Sequence, residues 1–227
     1  MKEDYSFLYY IPRCIYIRRG FLFLGDIMNN SKKINTRKLV VTAMLSSMAA
    51  ILMLIEFPLP FIAPPFYKLD FSEIPALIGA FSMGPVVGVA IEAIKILVNF
   101  VINGSTTGGV GEIANFVIGC SFVVPAGIIY KFKKTKSGAI ISMIAGTLCM
   151  ALLGVFINAY VMLPFYSQIM PIEAIIKMGK DIVPLIKDTF TFCIFCVAPF
   201  NILKGILVSF VTTFIYKPLS RIINAKN

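Results

Sequence analysis

The chain has 227 residues, 58% hydrophobic and only 14% charged, with a formal net charge of +10 and a mean hydropathy of +0.87. This is more apolar surface than a soluble domain can bury, so the composition predicts an all-α integral membrane protein. The absence of histidine excludes a Ser-His-Asp triad, a Cys-His dyad and imidazole zinc sites, and no G-x-x-x-x-G-K-[ST] stretch is present to hold nucleotide phosphates.

Residues 1–35 read as a cytoplasmic or interfacial extension. Their stretch "FLYYIPRCIYIRRGFLFLG" is interrupted by Pro12, Arg13, Arg18 and Arg19 and lacks the long apolar core and cleavage site of a signal peptide. Residues 36–220 form the membrane domain, and 221–227 a cytoplasmic tail. Six transmembrane helices are predicted at 38–56, 71–84, 86–103, 111–130, 138–163 and 188–216, the second of them short against the ~20 residues that a span needs. Lys32, Lys33, Arg37 and Lys38 precede the first span, Lys131, Lys133, Lys134 and Lys136 separate the fourth from the fifth, and Lys217, Arg221 and Lys226 follow the sixth. With six spans these clusters fall on one side, so the positive-inside rule puts both termini in the cytoplasm. The basic residues collect between apolar runs instead of on one continuous face, which argues against a nucleic-acid partner.

The outer loops then lie at 57–70, 104–110 and 164–187. The first is rich in proline and phenylalanine and reads as a stiff apolar flap. In the second, "NGSTTGGVGE", glycines let backbone approach a ligand. The third mixes apolar residues with Glu173, Lys177, Lys180 and Asp181, as an interfacial amphipathic segment does. No internal repeat is visible, which counts against an inverted-repeat carrier.

Ionisable and amide side chains inside spans are costly and usually face a cavity or a partner. Counting back from Lys217, Lys204 lies ~20 Å and Asn201 ~24 Å above the inner boundary of a ~30 Å core. Glu112 and Asn115 near the outer end of the fourth helix, and Asn158 near that of the fifth, reach the same level. Asn201 and Lys204 share a helix face, as do Glu112 and Asn115. The bland reading is that Glu112 and Asn115 cap and pack, and that Asn158 and Asn201 join helices. A lysine at that depth favours a ligand site, and as lone polar groups Asn201 and Lys204 are expected to be removable without loss of ligand-free stability. Glu92 and Lys95 sit lower, Glu92 only ~10 Å from the inner turn, and read as a separate structural ion pair. In the first helix Ala43 with Ser47, and Ser46 with Ala50, are small-x-x-x-small pairs suited either to packing within the chain or to docking a membrane partner. Cys120, Cys149, Cys193 and Cys196 fall in apolar runs and read as buried thiols rather than ligands, with no metal site.

The segments "KLDFSEIPALIGAFSMGP", "NGSTTGGVGEIANFVIG", "FINAYVMLPFY" and "APFNILKG", in this order and spacing, resemble the riboflavin-binding S-components of energy-coupling-factor vitamin transporters. The likeness covers about residues 36–220. It implies a multi-pass protein of a bacterial-type cell membrane, with a site open to the outside for riboflavin as transported substrate and no resident cofactor. It also implies partners: a membrane scaffold (T) subunit and two ATP-binding cassette subunits. The family's ligand contacts map onto Asn158, Asn201 and Lys204, and less securely onto Glu112. Its helix-one docking motif, Ala-x-x-x-Ala, is altered here by Ser46 or Ser47. Riboflavin suits the residues, because an amide offers donor and acceptor to a uracil-like edge, while Phe66 and Tyr67 can cover the ring. Rival readings are an S-component for another vitamin and a proton-coupled carrier using Glu92 or Glu112. An intramembrane enzyme is disfavoured for want of a catalytic constellation.

Overall fold

The computed structural model describes residues 36–224 apart from positions 106 and 169, with side chains to residue 216. Residues 1–35 of the expected extension and 225–227 of the tail lie outside the described residues. Helix α1 spans Thr36–Leu54. A short antiparallel ribbon follows, β1 (Phe57–Pro58) pairing with β2 (Lys68–Leu69) in the register Phe57 to Leu69, so the expected apolar flap is closed at its base by strand pairing. Then come α2 (Glu73–Met83), α3 (Pro85–Asn103) and α4 (Val110–Phe132).

The next two elements are interrupted helices. Helix α5 (Lys136–Ile157) passes through a π-helical turn at Asn158–Met162 into α6 (Leu163–Tyr166). After the amphipathic α7 (Ile172–Ile182), the short α8 (Thr189–Phe192) passes through a second π-turn at Cys193–Val197 into α9 (Ala198–Asn224). Both π-turns have one visible cause. Pro164 and Pro199 each stand two residues beyond the π-turn, and a proline ring clashes with the carbonyl four residues back, here within the π-turn, and offers no N–H to it. Widening that turn relieves the conflict without ending the helix.

Five helical stretches among the described residues are long and apolar enough to cross a membrane: Thr36–Leu54, Pro85–Asn103, Val110–Phe132, Lys136–Tyr166 and Thr189–Tyr216. The second expected span, 71–84, is the 11-residue α2, about 16 Å long against a core of about 30 Å. Its length is set on one side by the polar group Asp70, Ser72 and Glu73, and on the other by Gly84. The φ of 105° at Gly84 is open to glycine and strained for other residues. Every residue from Glu73 to Phe81 is buried, because α2 packs against α3, α4 and α9. A helix enclosed on all sides has no polar face to present.

One apolar cluster, with Leu45, Leu77, Ile91, Phe122 and Val208, joins α1 to α4 and α9 around α2. A second, with Leu69, Leu163, Ile175, Ile186, Phe192 and Phe200, ties the loop ribbon, α7 and the two π-turn helices together. The third outer loop contributes Ile175 and Gly179 of α7 to burial, as its amphipathic pattern predicts.

Candidate functional site

A cavity of about 420 Å³ is lined by side chains from the first loop, α4, the two π-turn helices and α1, within the roughly 300–1,000 Å³ typical of small-molecule sites. Of the residues singled out by sequence, Asn115, Asn158, Asn201, Lys204, Phe66 and Tyr67 all line it.

The π-turns place the two deeper asparagines. Asn158 opens the first π-turn, and its amide Nδ2 donates to the Gly154 carbonyl at 2.8 Å while Oδ1 accepts from the Tyr67 hydroxyl at 2.7 Å. Asn201 lies just past the second, with Nδ2 donating to the Val197 carbonyl at 3.0 Å. Its Oδ1, and the whole side-chain amide of Asn115, make no hydrogen bond among the described residues. Both are open polar groups of the site. Gly154 makes room for Asn201, since a Cβ there would lie 2.6 Å from Asn201 Nδ2.

Aromatic rings form one wall. Phe66 lies 4.8 Å from Tyr67 and 5.6 Å from Tyr166, and Tyr67 lies 5.8 Å from Phe200, measured between centroids. Burial holds the Tyr67 phenol well above its ordinary pKa, so it stays neutral and keeps the proton it donates to Asn158.

The floor is a buried charge network that sequence reading does not reveal. Lys204 Nζ sits 2.9 Å from Asp70 Oδ2 and 3.0 Å from Glu73 Oε1. Lys95 Nζ lies 3.2 Å from the same Glu73 oxygen and 2.8 Å from Glu92 Oε2, and donates to Ser72 Oγ at 2.7 Å. The approach of Lys95 to Glu92 is short but off-line, leaving both Glu92 oxygens without a hydrogen bond. Burial pushes the Asp70 carboxyl up, but the Lys204 and Lys95 ammonium groups and the Ser72 contact outweigh it, bringing it down to about 2. Glu92 and Lys95 thus form the ion pair that their spacing led us to expect, but one that is not set apart below the site. Glu73 couples them to Lys204.

Residues 37–216 match the family described as the substrate-specific component of ECF transporters. The chain belongs to this family. It is 35% identical over 181 residues to the riboflavin transporter FmnP of Bacillus subtilis, covering 79% of this chain and 90% of that protein. To the riboflavin transporter RibU of Staphylococcus aureus it is 35% identical over 196 residues, covering 85% and 97%, and to RibU of Streptococcus thermophilus 30% identical over 208 residues, covering 90% and 92%. Its fold is similar to that of a solved S component of a bacterial ECF transporter, with a TM-score of 0.65 and 33% identity, covering 84% of this chain and 99% of that one. The protein is thus a multi-pass cell-membrane transport component and not an enzyme.

In this S component Glu112 stands apart from the cavity lining. Its Oε2 accepts from the hydroxyls of Ser105 at 2.9 Å and Thr107 at 3.2 Å. Ser105 Oγ in turn accepts from the Gly109 N–H at 2.8 Å, and Thr107 Oγ1 from the Gly111 N–H at 2.9 Å. Through Oε2 the carboxylate holds the glycine loop onto the start of α4, where the helix dipole favours it. Helix α1 separates its two small-residue pairs: Ala43 and Ser47 are exposed beside Met44, Met48 and Ile51, whereas Ser46 and Ala50 are buried within the chain. Sequence reading missed Asp70, the last residue of the expected first loop, and Glu73, at the start of the short second span. Their partner is 134 positions from Asp70, far beyond any helical spacing rule. The usable signal was charge: a lysine that deep needs a carboxylate, and "KLDFSE" supplies two.

Proposed function

We propose that this S component binds riboflavin from outside the cell and delivers it inward as part of an ATP-driven complex with a membrane T subunit and two ATP-binding cassette subunits. Riboflavin is cargo here, not a resident cofactor. The observation that carries the reading is a cavity with an aromatic wall facing open amide groups. The isoalloxazine ring stacks against Phe66 and Tyr67. Its uracil-like edge meets Asn201 and Asn158, and Asn115 serves the hydroxylated chain. Lys204, with two of its hydrogens turned to Asp70 and Glu73, has one left for a flavin oxygen. The names of the relatives add weight to riboflavin over another vitamin. Residues 36–220 form the membrane domain, with α2 as the sixth, shorter helix of the bundle and both termini in the cytoplasm, in keeping with the basic clusters. The exposed pair Ala43 and Ser47 is the docking face for the T subunit.

At about −0.3 kcal/mol per heavy atom, a ligand of roughly 27 such atoms reaches about −8 kcal/mol, near micromolar. Tighter capture of a scarce vitamin calls for polar groups already in place, as the charge network holds Lys204. The deciding experiment is to purify the protein and look for a flavin spectrum, then to titrate the stripped protein with riboflavin by fluorescence quenching. A colourless protein that quenches no flavin emission would end this reading.

A further inference from the structure

We infer that the lysine-rich end of this protein holds an anionic phospholipid, with its headgroup on Lys134 and Lys136 and an acyl chain along the groove between α5 and α9. Two adjoining hollows carry this. The first, about 580 Å³, lies where α4 turns into α5 and is walled by Phe81, Tyr130 and Tyr216, with Lys134 and Lys136 at its edge. The three rings pack together, Phe81 to Tyr130 at 4.4 Å and both to Tyr216 at 5.5 and 5.6 Å. The second hollow, about 380 Å³, shares Ile140, Met143 and Thr213 with the first and continues along α5 and α9 past Ile144, Leu148, Ile206 and Ile202.

The chemistry changes along this path as it does along a lipid. At one end Lys131, Lys133, Lys134 and Lys136 are all exposed and form no ion pair among the described residues. Charge on a short turn is thus left unanswered, beside tyrosines of the kind that gather at membrane interfaces. The first N–H groups of α5 lie in the same turn and add partial positive charge. Thr212 also lines the first hollow, and its Oγ1 is buried without a hydrogen-bond partner. At the other end the lining is almost wholly apolar. From Thr213 back to Ile202 the groove runs about 17 Å along α9, about half of a ~30 Å hydrocarbon core. That is the depth of one leaflet, which suits an acyl chain and is far longer than a free phosphate needs. Basic pockets between helices on the positively charged side are known receivers of anionic headgroups.

The test uses the full chain, stripped of lipid by detergent exchange. It is titrated with phosphatidylglycerol, with phosphatidylcholine of the same chains and with millimolar inorganic phosphate, reading one-to-one adducts by native mass spectrometry and melting temperature. Phosphatidylglycerol is expected to bind at least about tenfold more tightly than phosphatidylcholine, and phosphate to shift nothing. Replacing both exposed lysines, Lys134→Gln with Lys136→Gln, is expected to weaken phosphatidylglycerol about thirtyfold, from about 1 kcal/mol per cation, while riboflavin affinity holds. Ile206→Trp, which fills the groove and leaves the lysines intact, is expected to weaken it as well. Equal binding of the two lipids, the same shift with phosphate, or undiminished binding in either variant would overturn the proposal. So would loss of the lipid adduct in the assembled transporter, which would give this face to a protein subunit.

Discussion

Lys204→Met tests the charge network and the binding site together. In the wild type two ammonium groups serve three buried carboxylates. The variant leaves Lys95 alone with all three. The Lys204, Asp70 and Glu73 side chains are 9%, 7% and 2% exposed, so solvent screens the change little. Removing one partner of a buried pair costs about 3–5 kcal/mol. Glu73 keeps Lys95 at 3.2 Å and Asp70 keeps the Ser72 N–H at 2.8 Å, which points to the lower end, about 3 kcal/mol. At roughly 2–4 °C per kcal/mol for a chain of this size, the ligand-free melting temperature should fall by about 6–12 °C. Flavin affinity should fall by more than about tenfold, the loss of a charge-assisted hydrogen bond. Asp70→Asn combined with Lys204→Met should recover part of the melting temperature but not the affinity, since it removes an orphaned charge without restoring a donor. The assay is a melting curve with and without riboflavin for the wild type, both single variants and the double. A ligand-free melting temperature that stays level or rises in Lys204→Met would refute the network, and would restore the view of Lys204 as a lone polar group kept only for the ligand.

Three further outcomes follow from the geometry. Gly154→Ala should weaken riboflavin about tenfold in a quenching titration, because its Cβ would press on Asn201 Nδ2; unchanged affinity would mean that Asn201 moves aside freely. Tyr67→Phe should raise the riboflavin Kd by about fivefold, roughly one hydrogen bond, as Asn158 loses the partner that orients it. Ala43→Leu or Ser47→Leu should stop uptake by the complete transporter while riboflavin binding persists, whereas Ala50→Leu should lower the yield of folded protein, because Ala50 is only 4% exposed. Normal uptake in both exposed-face variants would place the docking surface elsewhere.

Much of this molecule could be read from local patterns. Apolar runs bounded by lysine clusters marked five long helices, and counting 1.5 Å per residue put Asn115, Asn158, Asn201 and Lys204 at one level, where they line one cavity. Depth alone does not tell which way a carboxylate turns: Glu112 reaches the level of the site, and its Oε2 accepts from the nearby Ser105 and Thr107 hydroxyls. Local rules failed where the partner was remote. Glu92 and Lys95 looked isolated because i and i+3 spacing shows a pair but not the Glu73 that joins it to another helix. In α1, periodicity offered two small-residue faces, and only the packing of the whole chain shows which one is covered.

The two π-turns make these helices sensitive to chain length as well as to residue identity. Each can be viewed as one extra residue admitted into an α-helix, with the surplus absorbed beside a proline. Deleting a residue from 193–197 would wind the turn back to 3.6 residues and rotate the flanking halves by about 100° against each other. Asn201 and Lys204 could then keep their aim only if α8 and the third outer loop swung away. A deletion in 158–162 would likewise set Asn158 against α6. Gaining or losing one residue at these two places re-aims the walls of the cavity while leaving the opposite ends of α5 and α9 in register. Substrate preference in such a bundle is therefore open to change by insertion and deletion, independently of any substitution among the cavity's side chains.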